Sequence, residues 1–407
     1  MKICIVTHTV QKGDGQGRVN YEVALEAIRR GYHLTLLASH VDLELQQHPQ
    51  VNWVPISVKG YPTEFIRNMV FAIKSTNWLR KHRGEIDLVK VNGAITHAAG
   101  NVNAVHFVHS SWQKFIAQKN QVKLDNFVYT FYQWLYTTLN AYWEKQAFAK
   151  AEVIVAVSEK VAQDLLAIGV PQTSIQVIVN GVDLQEFSPR ISDSYGALRQ
   201  KWRLPEGLPL ALFVGDIRLS RKNLDTVLQA LVQVPELHLA VAGNTQGSPY
   251  LQLAASLGLS ERVHFLGQRS DVPELMQAVD FLVFPSRYEP FGLVVIEAMA
   301  SGLPVITASS TGAADLVTTE SGIVLSDADD PDPLSQALQL LSSNRTLCQK
   351  MGQAARSVAE QHSWTNMAQT YLDLFEELIN HEKYGSHPHL SPSVGSITLP
   401  FGTTSPN

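Results

Sequence analysis

The sequence predicts an α/β fold: two Rossmann-like, doubly wound parallel-sheet domains facing a central cleft. Three observations lead there. Short apolar runs alternate with helix-length amphipathic stretches. Several runs stop on glycine, as strand-to-helix turns do, with Val214 followed by Gly215 and Ala242 by Gly243. The alternation then begins again in the second half, as two βαβ arrays in tandem require.

Taken in order, residues 2–7 form the first strand. Lys12-Gly13-Asp14-Gly15-Gln16-Gly17-Arg18 is a Gly-rich turn, and Val19–Arg30 is a helix ended by Gly31. His33–Ala38, Leu88–Val91 and Val105–Val108 are further strands. The segment Trp112–Trp143 is rich in aromatic residues, with Lys114, Lys119 and Lys123 near its start. It reads as a long helix over the first core, the alternative being an interfacial surface. Gly169-Val170-Pro171 and Asn180-Gly181 interrupt the pattern and mark a hinge near 170–182. Leu210–Val214, His238–Ala242, Val263–Leu266, Phe281–Phe284 and Pro304–Thr307 are strands of the second array. Helices fall between them at Leu224–Val232, Tyr250–Leu257, Val272–Ala278 and Leu293–Ala300. The domains expected are 1–172 and 173–366, with a last helix at 367–385 completing the first. A disordered tail rich in Ser, Pro, Gly and Thr is expected at 386–407.

Composition narrows the classes. The chain has 407 residues, 45% hydrophobic and 17% charged, which supports two cores and excludes a disordered polymer. Cys4 and Cys348 are far apart in sequence, which argues against a disulfide framework or a structural zinc site. Met1–Val6 is too short for a signal peptide, and no apolar run approaches the roughly 18 residues of a membrane span. A cytoplasmic protein is expected. Residues 1–180 carry 18 basic and 13 acidic side chains, the rest 14 and 24. The basic half could meet something anionic, such as the inner membrane face or a phosphorylated acceptor, although chance variation of two surfaces explains the asymmetry at least as well. With a net charge of -5 and no basic stripe, no nucleic-acid partner is expected.

The chemistry concentrates in Ser286-Arg287-Tyr288-Glu289-Pro290-Phe291-Gly292-Leu293 and the helix after it. Pro290 can start a helix and Gly292 admits close approach of a ligand. The amides of Phe291, Gly292 and Leu293 then point out of a helix start, which suits a diphosphate. Glu289 precedes that helix and Glu297 lies inside it, so the two acids differ in depth. A carboxylate in a cleft accepts from sugar hydroxyls. Neither Gly-rich turn matches GxGxxG followed by a helix and a placed acid, which argues against a nicotinamide cofactor.

With Glu289 and Glu297 separated by seven residues, this segment resembles the family 4 retaining glycosyltransferases of GT-B fold. The likeness runs from about residue 1 to 380. Supporting pieces are Asn180-Gly181-Val182-Asp183, Arg221-Lys222-Asn223, Ala242-Gly243, Phe265-Leu266-Gly267 and Ala300-Ser301-Gly302-Leu303-Pro304-Val305. The resemblance implies transfer of a sugar from a UDP-, GDP- or ADP-linked donor to a carbohydrate or lipid-linked acceptor, with retention. The nucleotide sugar is then a substrate, and no cofactor or metal is needed. Position by position, Glu297 would bind the ribose and Glu289 the donor sugar. Phe291, Gly292 and Leu293 would offer amides, and Lys222 would neutralise the diphosphate. His109, read at a strand end, would contact the donor sugar, with His106 as its substitute. Gly15 and Gly215 would let the backbone approach the donor.

The sequence departs from the family at Asp216, where many members carry Arg. Arg218 or Arg221 would have to complete the clamp, Arg221 being preferred for its doublet with Lys222. Asp14 also stands where the family has Gly. The rival readings are a related epimerase or phosphorylase, and a catalytically silent nucleotide-sugar-binding protein.

Overall fold

A computed structural model describes residues 1–13, 15–118, 127–190 and 195–384. Two all-parallel sheets dominate it. The first has seven strands: β1 (Lys2–Val6), β3 (His33–Ala38), β5 (Val51–Pro55), β6 (Leu88–Asn92), β7 (Val102–Val105), β8 (Val153–Ala156) and β9 (Ile175–Val177). Their order is β5-β3-β1-β6-β7-β8-β9. Two short strands, β2 (Thr9–Val10) and β4 (His40–Val41), pair beside it. The second sheet holds β10 (Leu210–Val214), β11 (His238–Ala242), β12 (Val263–Gly267), β13 (Phe281–Phe284), β14 (Val305–Ala308) and β15 (Gly322–Leu325). Its order is β12-β11-β10-β13-β14-β15. Central strands such as β13 are buried along their whole length, as continuous apolar runs flanked by helices on both faces must be.

Each sheet has a point where the chain reverses its direction of travel across the strands. It lies between β1 and β6 in the first sheet and between β10 and β13 in the second. Ligands of open α/β sheets bind outside the carboxyl ends at such points. The Gly-rich turn follows β1, the Gly215–Lys222 segment follows β10, and Pro285–Gly292 follows β13.

The C-terminal helix runs Trp364–Tyr384 and returns to the first lobe. There Tyr371, Leu372 and Phe375 join the core of Ile3, Ile5, Val19 and Leu36. The crossing from one lobe to the other is fixed at Gly181. A Cβ there would stand 2.4 Å from the Trp364 amide nitrogen, so only glycine fits. Beside it Val182 N donates to His362 O at 2.9 Å, and Arg18 reaches Asp183 at 3.2 Å.

Several boundaries differ from the expectation. The strand expected at Val105–Val108 ends at Val105 and begins at Val102. Asn103 occupies the buried strand because its side chain pairs with Gly93 through both the amide and the carbonyl. The hinge segment contains β9, which pairs with β8, so the first sheet extends to Val177. The aromatic segment is two helices, His109–Gln118 and Phe127–Phe148, rather than one. Its Lys114, Phe127, Tyr129, Phe131, Tyr132 and Trp134 side chains lie outside the described residues, as do Asp14, Lys119, Lys123 and the tail 386–407. No described helix is long and apolar enough to cross a membrane.

Candidate active site

The site forms where three loops are stitched together. Asn223, fully buried and in the left-handed region at φ 67°, donates to Pro285 O at 2.9 Å. Asparagine tolerates that backbone better than most residues. Arg287 N donates to Arg221 O at 2.8 Å, and Ser286 Oγ to the same oxygen at 2.9 Å. These bonds hold the turn 220–223 against the loop after β13. That loop is in turn held by the 310–313 segment: Gly312 N donates to Glu289 O at 2.8 Å and Ala313 N to Phe291 O at 2.7 Å.

The stitching brings Lys222 onto the Glu289 carboxylate, with Arg221 Nη1 3.3 Å from the same oxygen. The lysine and glutamate side chains are only 13% and 14% exposed, so this is not a solvent-screened surface pair. Burial holds the Lys222 ammonium below its usual range, opposed by Glu289 and reinforced by Arg221. Directly after Glu289, Gly292 takes φ 92° and opens the helix Leu293–Ala300. Among the described residues the amides of Phe291, Gly292 and Leu293 donate to no backbone acceptor. Two partly buried cations, Lys222 and Arg221, and free amides at a helix start therefore share one corner of the cleft.

Glu297 lies half-buried in the second turn of this helix. Burial, with a smaller push from Glu186, raises its carboxyl to about 7. A raised acid favours the protonated fold, so stability falls as pH climbs from the ordinary carboxyl value through about 7. Glu297→Gln should match the wild type near pH 4 and exceed it above pH 7. Urea midpoints across that range check this, and a pH-independent difference would contradict it.

Two expected residues sit differently. Arg218 does not join Lys222: its Nε and Nη2 donate to Asp216 at 2.9 and 2.7 Å. The two residues are close enough in sequence to pair with each other first. The same pairing answers the Asp216 carboxylate with a positive charge, and it leaves Arg221 as the basic side chain beside Lys222 on Glu289. His109 does not end a strand. It opens the helix His109–Gln118, after three residues that separate it from β7.

Glu144, absent from the sequence-based candidates, holds the His109 ring. His109 Nδ1 is 2.6 Å from Glu144 Oε1, and the His109 amide donates to Oε2 at 3.0 Å. An ionised carboxylate only accepts, so Nδ1 carries the hydrogen and Nε2 is the nitrogen left for a substrate. The available signal was only a lone acid near the end of an aromatic stretch.

The lobes meet around this corner. A Cβ on Gly15 would lie 3.2 Å from Leu293 Cδ1, so the first helix of one lobe abuts the site helix of the other. Ser158 Oγ donates to Pro290 O at 2.6 Å. The Tyr288 ring packs on Phe107 and Trp112 at 5.8 and 5.5 Å, and Phe107 lies 5.0 Å from the His109 ring. Gly215 borders a 240 Å³ cavity with Val214, Asp216, Gly243 and Asn244, at the carboxyl ends of β10 and β11. A larger cavity of 720 Å³, around Arg190, Cys348 and Arg356, adjoins residues preceding β13 and β14. That is the wrong end of the sheet for the chemistry.

Among the described residues no cluster of His, Cys, Asp or Glu is arranged to hold a metal ion. The late acidic run is used structurally: Asp329 pairs with Arg287 at 2.5 Å and Asp330 caps the helix Pro331–Ser343.

Two facing parallel-sheet lobes, joined at a hinge and meeting over a helix start with a buried Lys–Glu pair, define a GT-B architecture. The chain belongs to the family 4 glycosyltransferases. Residues 13–186 match the profile described as Glycosyltransferase Family 4, and residues 195–358 that of Glycosyl transferases group 1. It is 32% identical to a D-inositol 3-phosphate glycosyltransferase of Xylanimonas cellulosilytica, across 58% of this chain and 59% of that protein. The match thus spans little over half of that relative. Against the N-acetyl-alpha-D-glucosaminyl L-malate synthase of Bacillus anthracis it is 24% identical over 91% of this chain and 96% of that one. In fold it resembles a sucrose-phosphate synthase of Thermosynechococcus elongatus, with TM-score 0.74, 21% identity and 93% and 99% of the two chains covered. It also resembles the Anabaena protein Alr3699/HepE solved with UDP-glucose, with TM-score 0.67, 20% identity and 92% and 99% covered.

Proposed function

We propose that the chain transfers a sugar from a nucleotide sugar to an acceptor hydroxyl, with retention at the anomeric carbon and without a metal. The observation that carries this is the convergence of Lys222, Arg221 and the free amides of 291–293 on one corner of the cleft. Together they offer fixed positive charge where a leaving diphosphate gains negative charge, and such preorganised stabilisation acts without reorganisation at the moment of reaction. Glu289 holds the two basic side chains in place, and an arriving diphosphate takes over their positive charge.

The cavity beside Gly215 is the seat for the base, and Glu297 for the ribose. A UDP-linked donor is favoured, because one structural neighbour with this fold, Anabaena Alr3699/HepE, was solved with UDP and glucose and with UDP-glucose. Among the described residues no side chain is placed as a clear covalent nucleophile on the sugar. The acceptor therefore attacks the face that the diphosphate leaves, and a phosphate oxygen takes its proton. His109 Nε2, oriented by Glu144, faces the donor sugar. Among the relatives, one is named for D-inositol 3-phosphate and one for L-malate, and each name describes that relative alone.

Binding to the folded state alone raises stability by mass action, about 2.7 kcal/mol at a hundredfold excess over Kd. A thermal-shift series with UDP, GDP and ADP should raise the melting temperature most with UDP, equally with and without EDTA. A shift that EDTA abolishes would reject the metal-independent reading. No shift with any of the three would reject nucleotide-sugar use.

A further inference from the structure

Lys90 stands on the central strand β6 with its side chain fully buried. Among the described residues Arg199 is the other basic side chain buried as deeply, and the Asp280 carboxylate answers it at 3.0 Å. Lys90 meets no carboxylate among the described residues. Its partners are Asn20 Oδ1 at 2.6 Å, Asn92 Oδ1 at 3.3 Å and the face of the Tyr371 ring at 5.4 Å. A buried ammonium without a counter-charge is costly, and an apolar side chain would sit beside Tyr371 at less cost.

The nearest partner shows what the ammonium does. Asn20 is itself fully buried, on the first helix, Gly15–Arg29. An ammonium only donates, so Asn20 must turn its oxygen to Lys90 and its amide nitrogen the other way. Asn20 Nδ2 then donates to Gln16 O at 2.9 Å and to Thr7 Oγ1 at 3.1 Å. Thr7 directly follows β1, and Gln16 is the second residue of the helix, so one side chain pins both ends of the Gly-rich turn. Gly15, beside Gln16, abuts Leu293 at the start of the site helix. A chain of contacts thus runs from Lys90 through Asn20 and the turn to the corner that holds Lys222 and Glu289.

We propose that Lys90 is a positioning residue for the donor: by orienting Asn20, it holds the Gly-rich turn where that turn meets the donor's diphosphate and sugar. The proposal rests on the glycosyl-transfer reading and adds to it a residue that touches no substrate.

Burial brings the Lys90 ammonium down to about 7. The titratable groups around it are His106, after β7, and Tyr371, on the C-terminal helix. His106 is held at about 3 and Tyr371 above its usual range, so neither changes charge near neutral pH. Asn20 and Asn92 do not titrate. Loss of the proton weakens the charge-assisted bond to Asn20. It also stabilises the fold, because between about 7 and the ordinary lysine value the unfolded chain binds the proton more tightly. Donor affinity and stability therefore move in opposite directions as pH rises through about 7.

The test measures UDP-glucose and UMP binding to the full chain by calorimetry, beside urea unfolding. Lys90→Met keeps an unbranched side chain and removes the charge. It should weaken UDP-glucose about tenfold, or about 1.4 kcal/mol, and leave UMP, seated on the second lobe, unchanged. Asn20→Asp answers the ammonium with a carboxylate that cannot donate to Gln16 O. It should keep the fold and lose UDP-glucose affinity to the same extent, so the test stands even where Lys90→Met fails to fold. From about pH 6 to about pH 8.5 the wild type, relative to Lys90→Met, should lose UDP-glucose affinity and gain stability. Wild-type UDP-glucose affinity in either variant would overturn the proposal. So would an equal loss of UMP, or affinity and stability that change together with pH. Failure of UDP-glucose to bind the wild type would instead overturn the donor reading, and this proposal with it.

Discussion

Lys222→Ala should lower kcat/KM for sugar transfer about 100- to 1,000-fold, the effect of removing one preorganised group that meets developing charge. The lysine is placed for that role by its surroundings. The 3-10 turn Ser220–Lys222 and the left-handed Asn223 set its backbone, and Gly215 lies beneath its stem, where a Cβ would stand 3.5 Å from Lys222 Cγ. Its ammonium lies over the Phe284 ring at 4.9 Å, so it is dehydrated and weakly screened. Loss of stability should be small beside the loss of rate, because Arg221 remains on Glu289. Lys222→Arg should recover part of the activity, since the charge survives but the point geometry does not. Nucleoside diphosphate release with acceptor present, read beside urea unfolding, separates the two effects. Wild-type turnover in Lys222→Ala would remove this residue from the mechanism.

Gly292→Ala should cost about 1–3 kcal/mol of stability and weaken donor binding at the same time. At φ 92° an alanine is strained whatever space surrounds it. Its Cβ would also stand 2.9 Å from Thr311 Cγ2 and 3.2 Å from Glu289 Cγ. Relief requires moving the helix start, the Thr311 loop or Glu289, and each of these shapes the diphosphate corner. Thr311→Ser removes the offending methyl. The double variant should therefore regain the Thr311 share of the steric loss but not the Glu289 contact or the backbone part. Urea unfolding and UDP titration of the two single variants and the double variant check this. Full recovery in the double variant would show that backbone strain contributes nothing.

Much of the fold was readable because the central strands are buried on both faces. Leu210–Val214, His238–Ala242 and Phe281–Phe284 are continuous apolar runs, and they form β10, β11 and β13 over those residues. The strands missing from the expectation carry weaker signals. β5, β9 and β15 lie at sheet edges, where half-exposed residues blur the pattern. β8 is a four-residue apolar run, too short to distinguish from buried helix. β7 was displaced because Asn103, a polar residue, sits inside the sheet with both side-chain bonds made to Gly93.

At the site, the free amides at Gly292 and the differing depth of Glu289 and Glu297 follow from local residue order. The pairing of Lys222 with Glu289 does not, since 67 residues separate them and only the contacts of Asn223 and Arg287 bring them together. Arg218 was ambiguous for the opposite reason. Its partner Asp216 was visible two residues away, but a choice between a near acid and a distant ligand needs coordinates. The contact of Glu144 with His109 spans 35 positions, depends on packing between two helices and leaves little trace in the sequence.

The most direct measurement is a crystal structure of the protein with UDP bound. The diphosphate should lie within hydrogen-bonding distance of Lys222 Nζ and the amides of Gly292 and Leu293, with the ribose hydroxyls on Glu297 and the Glu289 carboxylate released from Lys222. A well-ordered UDP whose phosphates sit beyond reach of Lys222, while the Lys222–Glu289 pair stays closed, would contradict the account.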